Sequence, residues 1–176
     1  FLTISFPSFD INSDKLYMLK FIENLLVNKG LSSKLYNAIR EERGLVYRIM
    51  YHNENSLDYG LIFLSFPADA KNIPTCLEVT LQELSDIKEN GIKQDEFSDC
   101  LLNITGKIDL LNDSFYESAY NIANEIALTD TFITPKEKLE KYMSLKKEDV
   151  DSFIKELFDF NKMKICVDGD FSKQAM

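Results

Sequence analysis

The residue that most constrains this chain is Gly44, near the end of the run GLSSKLYNAIREERGLVYRIMYH at 30–52. Before it, Leu35, Ala38 and Ile39 form an apolar stripe at helical spacing, and Ser32 and Ser33 offer N-cap oxygens. A glycine directly after such a run supplies the left-handed residue that ends a helix. After it, Leu45–Tyr51 is rich in aromatic and β-branched residues, which predicts a strand. The segment therefore reads as a short helix, opened by the break at Gly30, that turns at Gly44 straight into a strand. Arg40 falls in the last helical turn and Tyr47 near the start of the strand. They bracket the corner, so both side chains can reach one place.

The rest of the chain arranges itself around that corner. Residues 2–8, LTISFPS, predict a first strand, and Pro7 puts it near a sheet edge or its own end. Asn12 or Ser13 caps an expected helix to about Lys29, with Leu16, Leu19, Ile22, Leu25 and Leu26 on one face. Leu45–His52, a polar turn at Asn53–Ser56 and Leu57–Phe66 form an expected hairpin, closed by Pro67 and Asp69. A helix from Ile73 to Glu89 follows, with Asn72 as cap and Gly91 as stop. Phe97, Cys100, Leu101, Ile104, Ile108 and Leu111 keep helical spacing over the next. Ser114-Phe-Tyr-Glu117 reads as a capping box for a helix that turns Ala119, Ile122, Ala123 and Ile126 inward. Thr134-Pro135-Lys136-Glu137 combines an N-cap, proline at the first position and a box glutamate. A last helix spans about Glu148 to Phe158, where Lys146 makes a poor cap, and Met163–Val167 returns as a strand. Four strands and several amphipathic helices predict an α+β fold: a two-layer sandwich of a mostly antiparallel four-stranded sheet with helices on one face.

At 176 residues the chain has the length of a single domain, 1–176, with a sizeable core. Apolar residues make up 45% of it, and 13 Phe and 8 Tyr argue for a folded protein. A net charge of −9 excludes the basic footprint that nucleic-acid binding needs and disfavours an anionic membrane surface. No apolar run reaches the length of a membrane span. Neither a signal peptide nor any other targeting segment is visible, which leaves the compartment open. Phe1 opens in mid-strand, so the sequence reads as a segment cut from a longer chain. Cys76, Cys100 and Cys166 form no C-x-x-C pair and read as small buried hydrophobes.

The run LSSKLYNAIREERGLVY resembles the C-terminal-domain signature L-R-E-x-R-G-L-x-Y of the pitrilysin/insulinase-like zinc metallopeptidases, which include the mitochondrial processing peptidases. Ile39 stands in for the motif's Leu. Gly91 before a long helix, the Thr-Pro helix start, Glu148-Asp149-Val150 and the closing apolar strand before Gly169 fall in the same order. The resemblance implies a layered α+β domain, paired in tandem with another in each half of a molecule whose two halves enclose a peptide-sized chamber.

Peptide-cutting members of that family hold zinc through H-x-x-E-H on a helix, where two imidazoles share one face and the Glu acts as general base. This chain has one histidine, His52, followed by Asn53, Glu54 and Asn55, so the motif is absent here. No phosphate loop or G-x-S-x-G elbow appears, so this segment alone should not hydrolyse peptides. The resemblance implies a zinc-bearing companion domain, in cis or in trans, and a peptide or unfolded polypeptide as substrate. It also implies substrate-binding roles for Arg40 and Tyr47, as donors to a backbone carbonyl. From spacing alone a structural reading stands beside that one: Arg40 complements a helix C-terminus, and Tyr47 packs in the sheet in phase with Leu45, Ile49 and Tyr51. Glu41, Glu42, Arg43 and Arg48 read as local surface pairing, and Gly44 as backbone geometry. The alternative function is a non-catalytic scaffold or partner subunit of the same fold.

Overall fold

A computed structural model describes residues 1–28, 33–112 and 115–169. Strands β1 (Leu2–Ser8), β2 (Met50–Asn55), β3 (Gly60–Phe66) and β4 (Lys164–Val167) form one antiparallel sheet in the order β2-β3-β1-β4. Alternation decides its two faces. Leu2, Ile4 and Phe6 lie opposite Phe66, Leu64 and Ile62, and all six are fully buried beneath the helices. The other face carries Thr3 and Ser65, whose hydroxyls meet at 3.1 Å, and His52 stacked on Phe63.

The helical layer begins with α1 (Leu16–Glu23), which runs on as a π-helical turn, Asn24–Asn28. A second π-helical turn spans Tyr36–Glu41. Then come α2 (Ile73–Asn90), α3 (Gln94–Asn112), α4 (Phe115–Thr129), α5 (Pro135–Met143) and α6 (Lys147–Leu157). In α6, Val150, Phe153, Ile154 and Leu157 are buried, and Phe158 just beyond meets Phe6 edge to face at 5.2 Å. Gly91 ends α2 at φ +72°, and Asp151 of α6 accepts the next N–H, that of Ile92, at 2.9 Å. Thr134 and Glu137 form the expected capping box. The α+β class and the helix-covered antiparallel sheet are as predicted.

Several local expectations need correction. Helix α1 starts at Leu16, not just after Asn12 or Ser13; Ser13 instead accepts the Lys15 N–H at 3.2 Å in the preceding turn. Strand β2 starts at Met50 rather than Leu45 and takes in Asn53–Asn55, which pair with Ile62, Leu61 and Gly60. Polar residues are tolerated there because β2 is an edge strand among the described residues. Asn72 makes no cap; its amide reaches back to the Leu45 carbonyl at 3.1 Å. Cys76 and Cys100 are buried, but Cys166 is exposed on the edge strand β4. In α4, Ala119, Ile122, Ala123 and Ile126 are exposed, not inward. That helix packs mainly on α3 and has an apolar stripe without a partner among the described residues. The break at Gly30, the Ser32 cap and the Ser114 end of the capping box lie outside the described residues, as does the side chain of Leu111.

Candidate functional site

The corner is built by burial on both sides of Gly44. Leu35, Ala38 and Ile39 anchor the π-helical turn in the core, and Arg40 is left at its edge. Gly44 adopts φ +60°; its N–H bonds the Arg40 carbonyl at 2.9 Å, and the Leu45 N–H bonds that of Ile39 at 3.0 Å. These two bonds satisfy the last helical carbonyls. Beyond it, Val46 and Ile49 are buried and Val46 bridges Ala68, while Tyr47 and Arg48 are exposed. Buried positions three apart cannot come from a strand, whose inward residues recur every two. This is why the sheet resumes only at Met50.

Arg40 and Tyr47 do come together. The guanidinium of Arg40 lies 5.2 Å from the centre of the Tyr47 ring and 4.8 Å from that of Tyr36. It is therefore flanked by two aromatic faces, each attractive to a cation. Nη1 donates to the Tyr36 hydroxyl, and Nε lies 3.7 Å from a Glu41 carboxylate oxygen. Tyr36 packs on the core, whereas Tyr47 is 83% exposed, so one ring is fixed and the other faces solvent. The packing of Tyr47 within the sheet that spacing allowed is not what the structure has. Tyr36 is the residue that sequence reasoning missed; its position four before Arg40 was the available signal.

Around the corner the charges pair off: Glu42 with Arg43 at 2.8 Å and Lys34 with Glu96 at 2.6 Å. Arg43 also donates to the Ala38 carbonyl at 2.6 Å, and that ties it to the backbone. The half-buried Arg40 and the exposed Tyr47 thus stand out as a cation–hydroxyl pair, able to donate to a carbonyl oxygen.

Among the described residues no group of three or more His, Cys, Asp and Glu is placed to hold a metal ion. His52 is exposed on β2, across from Phe63, with no carboxylate or thiol set around it. The residues present do not fit a zinc site. The largest cavity described, about 640 Å³, lies between α1, α4 and α5, away from the corner. Its polar groups are already engaged, Lys138 with Glu125 at 2.6 Å and Lys141 over the Tyr17 ring. Between α1 and β2, the Tyr51 hydroxyl is buried without a partner. Burial, with the charge of Glu23 second, pushes its pKa up and holds it protonated.

Residues 1–103, which include the whole corner, match the family model described as the peptidase M16 inactive domain. A Rickettsia bellii (strain RML369-C) protein named as an uncharacterized zinc protease is 24% identical over 140 residues, 80% of this chain and 34% of its own length. The chain spans about a third of the length of the curated relatives it matches over most of its own. The crystal structure of a peptidase M16 inactive domain from Pseudomonas fluorescens superposes with a TM-score of 0.82 at 16% identity, covering 93% of this chain and 39% of that one. A protease from Helicobacter pylori gives 0.78 at 15%, with 93% and 40% covered. These two share the fold.

Proposed function

The chain belongs to the peptidase M16 inactive-domain family, and we propose that it is the substrate-side, non-zinc part of a zinc metalloendopeptidase. In this reading a companion domain bearing H-x-x-E-H, in the same polypeptide or a partner, holds the metal, and the two together enclose an unfolded peptide. The observation that carries the proposal is the Arg40–Tyr47 pair at the Gly44 corner, where a half-buried guanidinium meets an exposed phenol. Both are hydrogen-bond donors. Their role is to bind a backbone carbonyl of the peptide and to stabilise negative charge as it develops on that oxygen. Residues 1–176 form one such domain in this account.

The test is steady-state hydrolysis of an unfolded peptide by the full-length protein with its metal bound. Arg40→Ala and Tyr47→Phe should each lower kcat/KM by about 10²-fold, as expected for removal of one oxyanion donor, with the unfolding midpoint retained. Unchanged kcat/KM in both variants would reject the assignment and favour a scaffold role.

A further inference from the structure

We propose that Tyr36 is the positioning residue of this site, holding the Arg40 guanidinium against its own ring and hydroxyl so that the remaining N–H groups are presented to the ligand. The inference rests on the substrate-binding reading of Arg40 and goes beyond it by naming how the side chain is held. Three of the features that hold a guanidinium converge here. Its face lies 4.8 Å from the core-anchored Tyr36 ring, its Nη1 donates to the hydroxyl of that same ring, and its Nε is beside Glu41 at 3.7 Å. The guanidinium carbon also lies 5.2 Å from the centre of the exposed Tyr47 ring. Nη1 carries a second N–H, and Nε at 3.7 Å from Glu41 makes no hydrogen bond, so donors remain for a ligand carbonyl.

An arginine not held in this way would lose more side-chain entropy on binding.

The experiment is a double-mutant cycle in the full-length, metal-loaded protein, using Tyr36→Phe, which keeps the ring, and Arg40→Ala. The substrate is a neutral fluorogenic peptide. Tyr36→Phe should lower kcat/KM by about tenfold, the worth of one hydrogen bond to a charged group. In the Arg40→Ala background the same change should have less than about a twofold effect, because its route to substrate is gone. An equal loss in both backgrounds, or no loss in either, would overturn the role of Tyr36 while leaving that of Arg40 intact. No effect of Arg40→Ala by itself would overturn both.

Discussion

Gly44 makes the corner possible, and its contribution is conformational. At φ +60° any side chain is strained, yet an added Cβ would meet nothing within 4 Å. Gly44→Ala should therefore cost about 1–2 kcal/mol, with no repacking term. Gly60 is the opposite case: a Cβ there would sit 2.0 Å from the Phe9 carbonyl oxygen, so backbone must move. Gly60→Ala should cost on the order of 3 kcal/mol. Urea unfolding midpoints of the two variants check the order; equal midpoints would contradict it. At this scale the sequence was legible where a residue's chemistry is local. The left-handed Gly44 and the Thr134 box could be read directly. The Tyr36 ring under Arg40 could not, because an aromatic at i−4 on a helix packs on the core as often as it holds a partner.

Among the elements, strand β1 and helices α2, α5 and α6 lie within a few residues of where the sequence put them, because each buries side chains at its own repeat; β4 also falls in place, although all four of its residues are exposed. Strand β2 shows where that logic fails. Leu45–Ile49 has the composition of a strand, but Val46 and Ile49 reach the core at a spacing of three, and the ladder forms on polar residues instead. Composition reports what can be buried and not which ladder closes first. Helix α4 fails differently: its apolar stripe predicted an inward face, and Ile122 and Ile126 are 36% and 46% exposed. Ile126→Ser should therefore change stability by less than about 0.5 kcal/mol. Ile154→Ala, at a fully buried position of α6, should cost about 3–4 kcal/mol. Comparable losses at the two positions would show that α4 is packed against something in the intact protein.

On the scale of the whole molecule, residues 1–103 place the chain in the peptidase M16 inactive-domain family, and among them the half-buried Arg40 and the exposed Tyr47 form a donor pair at the corner. The absence of H-x-x-E-H was legible at once from a single histidine. That Arg40 and Tyr47 could meet was legible from their bracketing Gly44, but that Tyr47 would stand exposed on an irregular segment and not in the strand was not, since it depends on which residues close the ladder. The pair meets a peptide only if the corner faces the substrate in the assembled protein, and this is the central claim. The most direct measurement replaces Tyr47 with the photoreactive amino acid benzoylphenylalanine in the full-length protein and irradiates it with an unfolded peptide. The expected result is adducts at position 47 that excess unlabelled peptide suppresses, and none from the same photoprobe at Leu102, also largely exposed, on α3. Adducts at 102 as abundant as at 47, or labelling that peptide does not compete away, would contradict it.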